Sequence, residues 1–229
     1  MNLTVLIPFY NEENTLKEST LRVVNELPEA EIILIDDSSS DNSYTIAEDL
    51  IKNYSNIKLI QNTSNLGKGG ALKLAKSLIN TSHVVIHDAD LEYFPSDIVD
   101  MFQKSILTPE SLILGSRFIG TKERKNVYLR TIVANRVMSL FFSVVNFYKV
   151  SDVATCYKLM PSEFFKKVAL KEKGFSIEIE ILSKFLKYNR SIIEVPIGYH
   201  GRSYSDGKKI KTSDGFKYLF NTLRYRILN

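Results

Sequence analysis

Short apolar segments alternate with longer amphipathic segments along the first half of the chain. The apolar runs have the length of buried strands, and the segments between them have the period of helices. The predicted strands are Leu3–Phe9, Glu31–Ile35, Ile57–Ile60, Val84–Ile86 and Leu112–Leu114. The predicted helices are Glu12–Leu27, Asp41–Tyr54, Lys68–Leu78 and Ser96–Leu107, with Asp41 and Ser96 as N-caps. This alternation predicts an α/β fold, a mostly parallel sheet flanked by helices.

The second half of the chain has a less regular pattern. The predicted helices are Tyr128–Phe147, Ser162–Ala169, Ile177–Tyr188 and Ser213–Leu228, and the predicted strands are Tyr157–Met160 and Ile192–Val195. Residues 201–211 are rich in Gly, Ser and Lys and predict a loop. In the last helix, apolar residues fall on one face: Phe216, Leu219, Phe220, Leu223 and Ile227. This face fits either core packing or a membrane surface. No linker is visible, so 1–229 is predicted to be one domain.

The net charge of +4 is unevenly distributed. Residues 117–136 carry six Arg and Lys side chains against one Glu, and residues 200–229 carry seven against two Asp. Such segments are either solvated faces or the contact surface for a phosphate-rich or membrane partner. The single cysteine, Cys156, excludes an intramolecular disulfide, and no nearby residue pattern indicates a nucleophile. No signal peptide or membrane span is expected, because the longest apolar stretch, 137–150, is interrupted by polar residues.

Polar residues cluster where the predicted strands end, which is where parallel sheets bind ligands. Asp88 and Asp90 follow the fourth strand, and Glu92 lies two residues further on. Carboxylates at this spacing can hold Mg²⁺ or Mn²⁺, and such ions are commonly shared with substrate phosphates. The alternative is a capped, solvated loop, since this short pattern also occurs by chance.

The other strand ends carry further candidates. Tyr10 could stack on a nucleobase, while Glu12 and the pair Asp36-Asp37 could accept hydrogen bonds from a nucleoside. Lys68 and the backbone N–H groups of 65–70 could face an anion. The alternative for the glycines of this segment is tight packing. The spacing matches neither a Walker loop nor a dinucleotide fingerprint.

These residues together resemble the inverting family-2 glycosyltransferases of the GT-A fold, and most closely the polyprenyl-phosphate sugar transferases of the dolichyl-phosphate mannosyltransferase type. The resemblance runs over nearly the whole chain. Its first half is carried by PFYNE, DDSSSD, NLGKGGA and DADLE, and its second half by GSRF, Asp152, CYK, Phe175, Glu178 and the late loop. One departure is Thr155-Cys156, where relatives often have Thr-Gly or Ser-Gly.

The resemblance implies roles for both halves of the chain. Residues 1–116 would bind the nucleotide sugar, and 117–229 would bind the acceptor and end in an amphipathic helix. The donor-binding residues would be Pro8, Tyr10, Glu12, Asp36, Asp37, Lys68, Asp88, Ala89 and Asp90. The metal, Mg²⁺ or Mn²⁺, would be held by Asp88, Asp90 and Glu92. Asp90, Arg202 and Lys208 would be catalytic, with the two cations closing over the donor phosphates. The acceptor phosphate would be bound by Arg117, Arg130 and Asn135.

The choice of acceptor rests on chemistry. A polyprenyl phosphate is already anionic and needs cations, whereas a sugar hydroxyl needs a general base, for which Glu178 and Glu180 are candidates. A third hypothesis is an inactive donor-binding scaffold. GDP-mannose is the first expected donor and UDP-glucose the second, on family frequency alone. The expected location is the cytoplasmic face of the membrane, with no nucleic-acid partner, and the oligomeric state is left open. His200 is a weaker candidate for a phosphate contact.

Overall fold

A computed structural model of the protein describes residues 2–126, 128–202 and 212–227. The strands are β1 (Leu3–Phe9), β2 (Glu31–Asp36), β3 (Ile57–Gln61), β4 (His83–Ile86), β5 (Leu112–Ser116), β6 (Arg124–Lys125), β7 (Lys158–Pro161), β8 (Ile192–Pro196) and β9 (Tyr199–His200). The helices are α1 (Leu16–Glu26), α2 (Ser43–Asn53), α3 (Lys68–Leu74), α4 (Pro95–Leu107), α5 (Leu129–Asn146), α6 (Ser162–Lys167), α7 (Ile177–Tyr188) and α8 (Thr212–Ile227). The helix-rich, mostly parallel architecture confirms the predicted α/β class.

Seven strands form the main sheet in the order β3-β2-β1-β4-β7-β5-β8. All pairs are parallel except those of β7, which runs antiparallel between β4 and β5. The sheet register pairs Phe9 with Asp36, and Leu6 with Ile86, so the loops that follow β1, β2 and β4 emerge at the same edge. The topology therefore brings the polar strand ends together, as the sequence predicts.

Helices cover the sheet, and its inner strands are buried and largely apolar. Almost every residue of β1, β2, β4 and β5 is buried, which is typical of parallel strands between two helical layers. On one side α1 packs against α2 and α4, and elsewhere α8 packs against both α5 and α7. This arrangement places the chain's last described helix beside the second half of the sheet.

Several predicted boundaries are wrong for local reasons. Helix α4 begins at Pro95, not after Ser96, because proline suits the first helical position and its missing N–H costs nothing there. The predicted Asp41 N-cap is replaced by Asn42, although an Asp41 oxygen still accepts from the Ser43 backbone nitrogen at 3.0 Å. The predicted helix Lys68–Leu78 divides into α3 and a 3-10 turn. The small parallel pair β6-β9 was not predicted.

The predicted apolar stripe of the last helix lies partly on the surface. Phe220, Leu223 and Ile227 are exposed and Leu219 is half-buried, while the side chain of Phe216 lies outside the described residues. Within the part of the chain that the structure describes, every helix is too short or too polar to cross a bilayer.

Candidate functional site

The loop that follows β1 forms one wall of a cavity at the carboxyl edge of the sheet. Pro8, Tyr10 and Glu12 all line this cavity. Asn11 lies in the left-handed region at φ 51°, and its side-chain oxygen accepts a hydrogen bond from the Ser40 backbone nitrogen at 2.8 Å. This contact ties the β1 loop to the β2 loop. The three predicted donor-binding residues therefore lie at the expected edge, and their role stays a prediction.

Asp36 and Asp37 are buried and accept hydrogen bonds from their own surroundings. Asp36 accepts from its own loop and from the Gln61 side chain at 2.7 Å. Asp37 accepts from the backbone nitrogens of Leu66 at 2.9 Å and Gly67 at 2.6 Å, and from a nearby asparagine. Both carboxylates hold the loops that shape the cavity, and Asp37 is also part of its lining. A direct role toward a nucleoside stays a prediction.

The glycines that open α3 allow another loop to approach very closely. Gly67 has a φ of 76°, and a Cβ at Gly69 would lie 2.2 Å from the carbonyl oxygen of Glu172. The N–H groups of Gly69 and Gly70 both donate to the carbonyl of Lys173, at 2.6 and 3.4 Å. The prediction that these two N–H groups face an anion is therefore wrong. The alternative, tight packing, is confirmed, because only glycine leaves room for the neighbouring backbone.

Lys68 joins a buried row of alternating charges instead of pointing into open space. Its ammonium lies 2.7 Å from Asp88 and 2.7 Å from Glu178, and Glu178 lies 2.6 Å from the ammonium of Lys158. Burial opposes the charge of Lys68, but the carboxylates around it raise its pKa well above the ordinary value. For Lys158, burial outweighs Glu178 and lowers the pKa. The row fixes the Asp88 side chain at the cavity. Burial raises the pKa of Asp88, but the charge and hydrogen bond of Lys68, together with Cys156 and His87, lower it overall.

The loop after β4 presents three carboxylates, each with a different partner. Asp90 lies 3.3 Å from an Arg202 nitrogen, and Asp88 is held by Lys68. Glu92 accepts from the Tyr199 hydroxyl at 2.6 Å and from the Arg202 backbone nitrogen at 2.7 Å. In residues 2–126, 128–202 and 212–227, no three His, Cys, Asp or Glu side chains stand in metal-binding geometry. The three predicted ligands thus share one loop but are engaged by Lys68, Arg202 and Tyr199 and do not converge on one point.

Negative charge is in excess around Asp90. Burial, Glu92 and Asp88 together raise the pKa of Asp90 to about 8, although Arg202 opposes the shift. Among the described residues, six carboxylates and three cationic side chains line the cavity. An all-oxygen donor set with surplus negative charge fits a hard divalent cation. The residues present therefore fit Mg²⁺ or Mn²⁺, provided that the side chains of Lys68 and Arg202 give way.

The loop that carries these carboxylates, residues 88–92, is contacted by Arg202, which lies in the segment after β9. Its terminal nitrogens lie 3.2 Å from Glu12 and 3.3 Å from Asp90, while its Nε is 4.0 Å from Glu92. This Nε is buried and has no hydrogen-bond partner among the described residues. Arg202 therefore lies where a cation for donor phosphates is predicted, with one N–H group still to be satisfied. The other predicted cation, Lys208, lies outside the described residues.

Arg117 lines the cavity but is already engaged in an ion pair. Its Nε and one terminal nitrogen donate to the two oxygens of Asp152 at 2.7 and 2.8 Å, and its backbone nitrogen donates to the same carboxylate. The guanidinium also lies 5.0 Å from the centre of the Tyr199 ring. In the structure this arginine is thus paired with a neighbouring carboxylate. Binding of an acceptor phosphate by Arg117 stays a prediction.

The other two predicted acceptor residues lie on α5. Arg130 is exposed, and its guanidinium lies 5.6 Å from the centre of the Tyr128 ring. Asn135 is half-buried, and five helical residues separate the two by about 140° around the helix axis. They therefore lie on different faces of α5, because Asn135 falls on the side that also buries Phe142. Binding of one phosphate by both residues stays a prediction, and their placement on different faces of α5 does not favour it.

Both candidate bases for a hydroxyl acceptor are held by other groups. Glu178 lies between the ammonium groups of Lys68 and Lys158. Glu180 accepts from the backbone nitrogens of Lys171 and Glu172 and from a nearby lysine. In this structure neither carboxylate is poised to accept a proton from a hydroxyl group.

The histidines and the cysteine behave largely as predicted. His83 and His87 are buried packing residues, and burial lowers the pKa of His87 to about 4. His200 lies 3.2 Å from Glu123 and stacks edge-on against Phe94. Cys156 lines the cavity, but burial and the neighbouring Asp88 raise the pKa of its thiol well above the usual value. A thiolate nucleophile is therefore disfavoured at this position.

Sequence reasoning gave no site role to Tyr93, Tyr199 or Lys158. Tyr93 and Tyr199 stack at 5.2 Å and form an aromatic wall against the Arg117 guanidinium. Lys158 carried a signal that could have identified it, since it is a lone charge inside an apolar strand segment. The two tyrosines carried no comparable signal, because aromatic residues are common in ordinary cores.

The complete cavity has a volume of about 260 Å³ and combines carboxylates, cations and aromatic rings. Such a lining suits a ligand that has a ring to stack, hydroxyl groups to bind and phosphates to neutralise. Together with the sheet topology, it characterises a glycosyltransferase of the GT-A fold class. Residues 4–169 match the family described as Glycosyl transferase family 2, which is more than half of the chain. The chain therefore belongs to glycosyl transferase family 2, as the sequence resemblance indicated.

Named relatives point to one branch of this family. The dolichol-phosphate mannosyltransferase of Pyrococcus furiosus is 28% identical over 228 residues, which cover 98% of this chain but only 63% of that protein. The UDP-N-acetylglucosamine--dolichyl-phosphate N-acetylglucosaminyltransferase of Methanococcus voltae is 30% identical, covering 97% of this chain and 95% of that protein. The chain is thus related to polyprenyl-phosphate sugar transferases.

A solved structure supports the fold. The glucosyl-3-phosphoglycerate synthase of Mycobacterium tuberculosis, in complex with Mn²⁺, uridine diphosphate and glucosyl-3-phosphoglycerate, aligns with a TM-score of 0.71 at 18% identity. The alignment covers 98% of this chain and 79% of that protein. At this identity the comparison shows the fold alone, and it confirms the predicted GT-A architecture.

Proposed function

We propose that this protein transfers a hexose from a nucleoside-diphosphate sugar to a polyprenyl phosphate. An oxygen of the acceptor phosphate attacks the anomeric carbon, the bond from that carbon to the diphosphate oxygen breaks, and its electrons pass to the diphosphate. A single displacement of this kind inverts the anomeric centre. The donor would lie in the cavity, with its base near Tyr10 and its diphosphate near the carboxylate loop, residues 88–92.

Asp88, Asp90 and Glu92 would hold Mg²⁺ or Mn²⁺, because they are the oxygen donors on the loop where negative charge is in excess. The bound cation would neutralise the charge that develops on the diphosphate as the bond breaks. Lys68 and Arg202 now neutralise Asp88 and Asp90, so either side chain is free to turn to the donor phosphates once these carboxylates are otherwise occupied.

Arg202 is the residue best placed to stabilise the leaving group. Its buried Nε has no hydrogen-bond partner among the described residues, and an unpaired buried donor is costly unless a ligand completes it. A diphosphate oxygen would satisfy this N–H group, and the interaction would strengthen as charge develops. Lys208, which follows Arg202 in the same late segment, would add a second cation.

The position of Glu178 favours a phosphate acceptor over a hydroxyl acceptor. Because its carboxylate lies between the ammonium groups of Lys68 and Lys158, it is poorly placed to deprotonate a sugar hydroxyl. A phosphate acceptor is already ionised and needs no such base. Arg117 and Arg130 would supply the cations that orient it, with Asn135 as a further polar contact.

Donor identity and location complete the proposal. GDP-mannose is the first expected donor and UDP-glucose the second, while the Methanococcus voltae relative is named for UDP-N-acetylglucosamine. A polyprenyl acceptor implies work at a membrane, and we place the protein on the cytoplasmic surface, where nucleotide sugars are available.

A transfer assay tests the proposal directly. Purified protein with Mg²⁺ would be incubated with radiolabelled GDP-mannose, UDP-glucose or UDP-N-acetylglucosamine, and with either a short-chain polyprenyl phosphate or a free glycan. We expect label in the organic phase with at least one donor and only with the lipid phosphate. Label on the glycan alone would favour the hydroxyl-acceptor hypothesis, and donor binding without any transfer would favour the inactive scaffold.

A further inference from the structure

One carboxylate of the cavity is held differently from its two neighbours on the same loop. Asp88 and Asp90 each meet a cationic side chain, at 2.7 and 3.3 Å. Glu92 instead accepts one hydrogen bond on each oxygen, from the Arg202 backbone nitrogen at 2.7 Å and from the Tyr199 hydroxyl at 2.6 Å. The Arg202 Nε is 4.0 Å away. The two groups that donate to Glu92 are therefore both uncharged.

An uncharged donor orients a carboxylate without cancelling its charge. The two hydrogen bonds to Glu92 use one acceptor site on each of its oxygens, and the other site of each oxygen can face a cation. A carboxylate that is hydrogen-bonded in this way binds a metal more tightly, because its orientation is set before the ion arrives. Glu92 is thus oriented in advance, whereas a protein cation must first leave Asp88 and Asp90.

The Tyr199 hydroxyl is held in place by backbone contacts on both sides of β9. The Tyr199 nitrogen donates to the carbonyl of Glu123 at 3.0 Å, and the His200 nitrogen donates to the carbonyl of Glu92 at 2.9 Å. The Tyr199 ring lies 5.2 Å from the centre of the Tyr93 ring, and the residue is only 7% exposed. Strand β9 therefore joins β6 to the carboxylate loop and directs the hydroxyl at Glu92.

The single proton of the Tyr199 hydroxyl is given to Glu92, so none is left to donate to a diphosphate oxygen. Glu92 in turn holds the backbone nitrogen of Arg202, the arginine that is best placed for the leaving group. We propose that Tyr199 is a positioning residue for sugar transfer. Its hydroxyl fixes the Glu92 carboxylate in the orientation that binds the divalent cation and anchors Arg202. This inference deepens the proposed function and rests on it.

Two tyrosine variants form a matched pair for the test. Tyr199→Phe removes the hydroxyl and keeps the ring beside Tyr93 and Arg117. Tyr225→Phe removes a hydroxyl that is also buried and that donates to the Glu172 carboxylate at 2.7 Å. Tyr225 lies on α8, outside the described lining of the cavity. Mn²⁺ binding to the full chain is measured from the paramagnetic resonance signal of free Mn²⁺, without nucleotide and with UDP or GDP.

We expect Tyr199→Phe to weaken Mn²⁺ binding roughly tenfold, because the loss of a partner to a ligating carboxylate has an effect of this order. Turnover at subsaturating Mn²⁺ should fall by a similar factor, while KM for the acceptor stays constant. Tyr225→Phe should bind Mn²⁺ like the unaltered protein. Both variants should lower the melting temperature alike, since each loses one buried bond of the same kind. Unchanged Mn²⁺ affinity in Tyr199→Phe would overturn the proposal, whatever its melting temperature.

A double-variant cycle tests whether the hydroxyl acts through Glu92. In the Glu92→Gln background, adding Tyr199→Phe should weaken Mn²⁺ binding by less than about twofold, because the carboxylate that the hydroxyl positions is already gone. A full further loss of roughly tenfold would show that the hydroxyl acts on the metal or the nucleotide by another route. That result would also overturn the proposal.

The transfer assay separates this inference from the proposed function. If the unaltered protein transfers sugar and Tyr199→Phe changes neither Mn²⁺ affinity nor turnover, the positioning role alone is refuted. If Tyr199→Phe weakens Mn²⁺ binding as expected but the unaltered protein transfers no sugar to any acceptor, the proposed function alone is refuted. An unaltered protein that binds no Mn²⁺, with or without UDP or GDP, would refute the role of Tyr199 toward the metal.

Discussion

Two arginines of the same cavity are held in opposite ways. Arg117 forms a two-pronged pair with Asp152 at 2.7 and 2.8 Å, and its Nε is part of that pair. Arg202 is spread over Glu12 and Asp90 at 3.2 and 3.3 Å, and its Nε has no hydrogen-bond partner among the described residues. One arginine meets a single matched carboxylate, whereas the other stands among several.

This difference distinguishes a charge that stabilises the fold from a charge whose partner a ligand can replace. A matched fork in a buried position is costly to break, because either partner left alone is an uncompensated charge. A cation that is shared among surplus carboxylates can leave them when another cation neutralises these carboxylates, or when an anionic ligand pairs with the departing cation. We therefore expect the carboxylate loop to govern turnover and the Arg117–Asp152 pair to govern stability.

The largest effect is expected from Asp90→Asn. Turnover should fall about a thousandfold or more, because the substitution removes a predicted metal ligand and the partner of Arg202. The free energy of unfolding should stay equal or rise, since burial and the adjacent Glu92 and Asp88 raise the pKa of Asp90 and disfavour its charge. Initial rates and urea unfolding at neutral pH measure the two quantities.

Chelation supplies an independent version of the same prediction. Excess EDTA should abolish transfer by the unaltered protein, and added Mg²⁺ or Mn²⁺ should restore it. Asp49→Asn, which alters an exposed carboxylate paired with Lys52 on α2, is the matched control and should retain full activity. Full turnover in excess chelator would show that the carboxylate loop works without a metal.

Breaking the tight pair should act mainly on the fold. Asp152→Asn leaves the Arg117 guanidinium buried without its counter-charge, and should lower the free energy of unfolding by about 3–5 kcal/mol. Urea unfolding curves give this value. The double variant Arg117→Met with Asp152→Leu should recover part of the loss, because it removes both charges. A loss below about 1 kcal/mol for Asp152→Asn would mean that this pair is as exchangeable as that of Arg202.

Arg130 offers a cleaner test of acceptor binding than Arg117, whose removal would also expose Asp152. Arg130→Ala should lower kcat/KM for a short soluble acceptor by about 1.5–3 kcal/mol, roughly ten- to a hundredfold, while donor affinity stays constant. Arg136→Ala is the control on the same helix and should change neither quantity with this acceptor. Calorimetry with the donor and acceptor kinetics decide the matter. Equal losses in both variants would point to general charge and contradict a specific phosphate contact.

The fold class and the edge of the sheet that carries the cavity could be predicted from the sequence. Strand-length apolar runs alternating with amphipathic helices predicted the sheet, and the carboxyl ends of its strands gave the cavity edge. The antiparallel insertion of β7 and the short pair β6-β9 could not be predicted, because their partners are distant in sequence. Pattern reasoning identifies strands, but it contains no information on which strands become neighbours.

The contacts within the site were much less predictable. The carboxylates of residues 88–92 were identified by spacing, but their pairing with Lys68 and Arg202 depends on side chains that arrive from other loops. The role of Lys173 as acceptor for the glycine N–H groups likewise depends on a loop about 100 residues away. The exposure of the apolar side of α5 was not predicted, because a helical pattern of apolar residues does not show whether that side packs in the core or faces the solvent.

The smallest expected effect concerns a third cation, which tests whether the quality of pairing explains the comparison. Lys76 is half-buried, donates to the carbonyl of Val168 and lies near Lys73 and Lys184, and burial lowers its pKa to about 8. In the unfolded chain its pKa is near 10.5, so between these values the unfolded state binds more protons and stability rises with pH. Below pH 8 the charged group therefore destabilises the fold.

Lys76→Met removes this cost, and its advantage in unfolding free energy over the unaltered protein should shrink by about 1 kcal/mol between pH 7.5 and 10.5, after allowance for solvent screening. Because only the change with pH is compared, the lost hydrogen bond and the contact with Phe165 cancel. A difference that stays constant over this range would show that Lys76 is as well compensated as Arg117.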